Sequence, residues 1–83
     1  MISLKDRYII KCFGPDETRY YLQNIGELLL TKDPNKALVY KTKGMALSLC
    51  DLNKNKTEWY IPGSKIKPIN WSIDIVKSYI EGD

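Results

Sequence analysis

The chain contains no histidine among its 83 residues. That removes the commonest general base, the commonest metal-binding side chain and every Ser–His or Cys–His nucleophile pair. Cysteine is nearly as scarce. Cys12 and Cys50 stand alone, and two thiols fall short of the four N or S ligands of a structural zinc site. Both read as buried thiols, with a disulfide between them as the lesser alternative. The five glycines, Gly14, Gly26, Gly44, Gly63 and Gly82, are too scattered to build a phosphate-cradling loop. No cofactor is expected.

Long apolar runs are missing too. Stretches such as Leu28–Leu30 are far short of the ~20 residues a bilayer requires, so a membrane partner is not predicted. The opening Met1-Ile2-Ser3-Leu4 gives way to charges without an apolar signal region, which predicts a cytoplasmic protein. Arginine is limited to Arg7 and Arg19. Lysine cannot supply the planar fork that reads guanine, so sequence-specific base reading is disfavoured. Ten carboxylates offset thirteen cations for a net charge of +3, and the long-range field is correspondingly weak.

What remains is an ordinary globular composition, 43% hydrophobic and 28% charged, in a chain long enough for one domain over residues 1–83. RYIIKCF, residues 7–13, is rich in β-branched and aromatic side chains. It alternates as a pleated strand does. Gly14, Pro15 and Asp16 then supply turn chemistry, and RYYLQN, residues 19–24, returns as the second strand of a hairpin. ELLLT resumes as a third strand and ALVY, residues 37–40, as a fourth, separated by the turn-forming Asp33-Pro34-Asn35. Thr42 is a suitable N-cap for a helix from about Lys43 to Leu52 or Asn53, with Met45, Ala46, Leu49 and Cys50 on its inward stripe. The tail NWSIDIVKSYIEGD places Ile73, Val76 and Ile80 on one helical stripe, with Ser72 as N-cap and Gly82 as C′ residue. The expected fold is α+β. A small antiparallel sheet of about 4–5 strands, in β-β-β-β-α-β order, is packed by one helix, with a C-terminal helical extension over 68–83.

The stretch KNKTEWYIPGSKIKPINW concentrates lysines and aromatics. If Pro62-Gly63 is a two-residue loop, Ile61 pairs with Ser64, Tyr60 with Lys65, Trp59 with Ile66 and Glu58 with Lys67. Trp59, Ile61 and Ile66 then face a core. Glu58, Tyr60, Lys65 and Lys67 stay wet, with Glu58 neutralising Lys67 across the ladder. Pro-Gly favours a type II turn, whose twist suits hairpins less well than the primed types, so one bent strand is the competing reading. The lysines need no ligand in this arrangement, since edge strands commonly carry them. Tyr21 and Tyr60 are the two strand tyrosines that alternation sends outward, and exposed tyrosine is frequent at interfaces. The contact residues predicted are therefore Tyr21, Tyr60, Lys65 and Lys67.

Catalysis by paired carboxylates needs two acids converging on one bond. Asp16 and Glu17 lie in a tight turn and Asp33 precedes Pro34, positions that suit solvated loop tips. No enzyme is predicted.

The stretch LTKDPNKALVYKTKGMAL, beginning at Leu30, resembles small accessory proteins of phages and mobile elements of low-GC Gram-positive bacteria. The resemblance rests on Thr31, Asp33, Ala37, Val39-Tyr40, Thr42 and Ala46, followed by Trp59, and covers roughly residues 6–61. It implies a compact β-β-β-α-β scaffold in a bacterial host cell and carries no catalytic residue. It also implies a class that acts by binding, including anti-CRISPR-like inhibitors of host defence, although many of those are acidic DNA mimics and this chain is basic. The resulting expectation is a phage-encoded module that binds and modulates a host protein or nucleoprotein complex. Nucleic-acid binding through the lysine and tyrosine face is the alternative, and a homo-oligomer formed through a sheet edge or the C-terminal helix is a third reading.

Overall fold

The computed structural model describes residues 2–56 and 58–81, with 2–4 and 77–81 described by their backbone alone. Its elements are β1 (Ile2–Phe13), β2 (Arg19–Asn24), β3 (Leu29–Thr31), a 3₁₀ turn (Pro34–Lys36), α1 (Lys43–Asn53), β4 (Trp59–Ile61), β5 (Ser64–Ile66) and β6 (Ile69–Glu81). The fold is α+β, with one six-stranded mixed sheet in the order β5-β4-β3-β2-β1-β6. The sheet is larger than the expected 4–5 strands and is not wholly antiparallel. β3 and β4 run parallel, because the intervening α1 carries the chain back to the end from which β3 started, as parallel neighbours require.

The tail is the largest departure from expectation. Residues 69–81 form strand β6 rather than a C-terminal helix over 68–83, pairing antiparallel with β1 from Phe13↔Ile69 to Ile2↔Glu81. Ile69, Trp71, Ile73 and Ile75 also recur every second residue, so the tail satisfies a period of two as well as one of 3.6. β-branched side chains lose χ1 freedom in a helix and pack well on a pleat. The open edge of β1 supplies the hydrogen-bonding partner that settles the competition. The proposed helix C′ residue, Gly82, lies outside the described residues.

Residues 37–40 are not a strand either. The β1–β2 ladder runs Phe13↔Arg19 to Lys11↔Tyr21 and stops there. Beyond that point the two strands splay, and residues 37–40 enter the gap. The Leu38 N–H donates to the Leu22 carbonyl at 2.9 Å, and Tyr40 exchanges two backbone bonds with Tyr8 at 2.8 and 3.0 Å. Ala37 packs with Ile9, Tyr21 and Val76 on one side of the sheet. Tyr40 packs against the larger cluster on the other. Ala37 and Tyr40 serve opposite faces, as odd and even positions of an extended segment do; the single Tyr8↔Tyr40 bridge and the Leu38 bond fall short of a ladder.

The main core lies between the sheet and α1. It gathers Ile10, Cys12, Tyr20, Leu22, Leu30, Cys50 and Trp59, with Trp71 and Ile73 from β6 packed against them. Trp59 is 0% exposed, and its ring lies 5.3 Å from that of Trp71, tilted by 53°. β4 and β6 stand near opposite ends of the sheet order, so the contact shows that the sheet curls until its two ends meet over the core. Gly14 sits at the same closure. A Cβ there would come 3.0 Å from the Tyr20 ring and 3.6 Å from Ile66. The helix begins as its sequence predicts, with the Met45 N–H donating to Thr42 Oγ1 at 3.2 Å. Its inward residues are Ala46, Cys50 and Asn53. Met45 was expected on that stripe but is exposed, one helical step outside it.

Candidate functional site

The β4–β5 hairpin has the register that alternation predicts: Trp59↔Ile66, Tyr60↔Lys65 and Ile61↔Ser64. Gly63 adopts φ 78°, a conformation that L side chains resist and glycine takes freely. Trp59 anchors the ribbon in the core, so its neighbours Glu58, Tyr60 and Lys65 are directed away from α1. Tyr60 is 48% exposed. Lys65 Nζ sits 6.0 Å from the Tyr60 ring centroid and 3.2 Å from Glu58 Oε2. The hydrogen bond and charge of Glu58, with a smaller contribution from Tyr60, raise the Lys65 ammonium pKa. Glu58 was expected to neutralise Lys67; it pairs with Lys65 instead. Lys67 is exposed at the foot of the hairpin.

Tyr21, the fourth predicted contact residue, is 7% exposed. Alternation does send it to the face away from α1, but Ala37 closes over it together with Ile9 and Val76. The structure thus brings Tyr60 and Lys65 together, leaves Lys67 nearby on the same strand run, and withdraws Tyr21 into a second small core. The error has a physical source. Period-two reasoning identifies a face and cannot show that a distant segment covers it.

A second cluster on the same outer face went unread. Phe13 lies between two cations, with Lys11 Nζ and the Arg19 guanidinium each 5.9 Å from its ring centroid. Lys11 is held by Asp74 at 3.0 Å. The β1–β2 register sets Phe13 opposite Arg19 as a direct cross-strand pair, and such pairs interact. Cation and ring at this distance attract by about 0.5–1 kcal/mol when exposed.

An open cleft of about 570 Å³ runs between Thr31, Lys32, Asp33 and Lys36 on one wall and Ile61 and Pro62 on the other. Two of its polar side chains are engaged locally. Thr31 Oγ1 accepts from the Asp33 N–H at 3.1 Å, and Asp33 Oδ1 accepts from the Asn35 N–H at 2.9 Å. These bonds shape the turn that forms the wall.

Reactive groups are subdued. Burial, and then the charge of Cys50, push the Cys12 thiol up to about 12; burial likewise raises Cys50. The thiolate is the nucleophilic form, so both are inert near neutral pH. Asp16 is lowered by its hydrogen bonds from Thr18, which keeps it an ionised turn residue. Among the described residues no three His, Cys, Asp or Glu side chains cluster as metal ligands, and no helix is long and apolar enough to cross a membrane. No family model matches the chain, and no curated protein or solved structure matches it either.

Proposed function

We propose that the chain is a non-enzymatic binding module that engages a partner protein through the outer face of the β4–β5 hairpin, with Tyr60 as the anchor and Lys65 and Lys67 beside it. The observation carrying this reading is the exposure of Tyr60 on a strand whose neighbour Trp59 is wholly buried. The ring is presented from a strand anchored by Trp59, with the exposed Glu58–Lys65 pair beside it, so the backbone needs no ordering on binding. Tyrosines in such positions are frequent binding hot spots. The resemblance to phage accessory proteins supports a host enzyme or nucleoprotein as the partner and modulation or inhibition as the outcome.

The test compares the wild type with Tyr60→Ala and with Lys65→Glu plus Lys67→Glu in affinity capture from lysates of low-GC Gram-positive hosts. A stoichiometric partner retained by the wild type and lost by both variants is the expected result. Equal recovery by all three proteins would remove the hairpin from the interface.

Phe13 between Lys11 and Arg19 favours a second reading, in which the outer face binds single-stranded nucleic acid by stacking a base beside cations. Such binding weakens steeply with salt. Titration of fluorescent oligonucleotides at low and moderate salt separates the readings: salt-sensitive binding lost on Phe13→Ala supports the second, and no binding at low salt ends it.

A further inference from the structure

The sheet ends in an unusual edge. β6 is 13 residues long, about twice the usual strand length, and it closes the strand order with no neighbour on its outer side. About half of its N–H and C=O groups therefore point away from β1 without ladder partners. Natural edges are guarded by proline, by bulges, by brevity or by charge; β6 carries Asp74, Lys77 and Glu81, and Asp74 is drawn inward to Lys11. Here no proline lies between Ile69 and Glu81, and the one register shift falls at the very start, between Lys11 and Phe13 of β1. Past the Tyr8↔Tyr40 bridge, β6 is the one strand that pairs with β1 among the described residues. Beyond the buried Arg7 and the Val76 packed in the smaller core, residues 2–6 and 77–81 run on as a two-stranded ribbon, an arrangement only marginally stable in water without a third strand.

We propose that the outer edge of β6 pairs antiparallel with the same edge of a second copy of this chain, about a two-fold axis at Ile75. A two-fold normal to the sheet keeps each face on its own side, so residue pairs across it must share parity. Centring on Asp74 would set two carboxylates opposite one another, which is unfavourable. Ile73 is packed into the main core and Val76 into the smaller one. Ile75 is 61% exposed, and at the axis it covers its own counterpart while Asp74 opposes Val76. An edge that is self-complementary in this way forms an isologous dimer that closes, rather than a filament. The interface is independent of the hairpin face, which lies at the other end of the strand order.

Sedimentation equilibrium over a range of concentrations tests this. The expected limiting mass is twice 9.6 kDa, and Ile75→Lys returns it to the monomer with an unchanged near-ultraviolet signal from the Trp59–Trp71 pair. As a second variant, Ile75→Cys treated with diamide gives a covalent dimer, the two thiols yielding two protons and two electrons to the oxidant. Self-paired residues in such a ladder have Cα atoms about 4.5–5.5 Å apart, within disulfide range, and the native thiols are buried. A mass that stays monomeric at every concentration, or a dimer that survives Ile75→Lys, overturns the proposal.

Discussion

The molecule has two ends built on different terms. At one end the sheet curls over α1 until Trp59 and Trp71 touch, both faces of β1 are covered, and Ile9 and Ile10 are each almost wholly buried although they point in opposite directions. At the other, β1 and β6 run on as a two-stranded ribbon, and the full strands, about 40 Å at ~3.3 Å per residue, account for the 42 Å long axis of a molecule only 24 and 22 Å across. The body is held by packing and the ribbon by its ladder. A ladder bond contributes only ~0.5–1.5 kcal/mol net, whereas a buried large side chain contributes about 1.5–3. The difference assigns stability to one end and adaptability to the other.

The sharpest way to test that division is to remove the residue that closes the body. Trp59→Ala deletes the largest fully buried side chain and is expected to cost about 3–5 kcal/mol, a loss that denaturant melts would read directly. The Trp59 and Trp71 indole N–H groups and the Tyr40 hydroxyl have no hydrogen-bond partner among the described residues, so part of the ring's burial energy offsets desolvation. For that reason Trp59→Phe is expected to be much milder than Trp59→Ala. A cost under about 1 kcal/mol for the alanine variant would mean that the two sheet ends do not depend on each other.

How much of this division the sequence disclosed varied with the range of the interactions. The β4–β5 register and the Thr42 cap follow from residues within a few positions of one another, and both were readable. Tyr21 was misread because its cover, Ala37, arrives from beyond a turn and a second strand. The tail was misread because Ile73, Val76 and Ile80 fit a helical stripe as well as Trp71, Ile73 and Ile75 fit a pleat. Only the free edge of β1, more than sixty residues away at Ile2–Arg7, decides between them. The Phe13 cluster joins a cation two positions away on its own strand, Lys11, to one on the next strand, Arg19, so it emerges only once the β1–β2 register is known.

A second, smaller effect concerns pH and touches the body alone. The Cys12 thiol has an ordinary value of 9.0, raised to about 12 in the folded chain, so the native state holds this proton more tightly than the unfolded state does. The stabilisation is complete below pH 9 and is lost as pH rises from about 9 towards 12, the unfolded chain being favoured by ionisation. Cys50 is raised by burial as well and acts in the same direction. Cys12→Ser keeps the volume nearly constant and replaces the titrating thiol, so its alkaline melting profile should be flatter than that of the wild type. Identical profiles would show that the thiol does not carry the alkaline limb.

The smallest expected effect lies at the root of the ribbon, at Ile75. Truncation of a side chain that is 61% exposed removes little buried area, and Ile75→Ala in dilute protein should fall within about 0.5 kcal/mol of the wild type. The same substitution read at high concentration should cost more, because a dimer's stability includes the association free energy and rises with protomer concentration. The two measurements give opposite results for the two structural roles. A cost independent of concentration assigns Ile75 to the monomer's own packing, which would make the ribbon an extension of the body. A cost that grows with concentration leaves the body's stability untouched and places the ribbon's missing third strand in another copy of the chain.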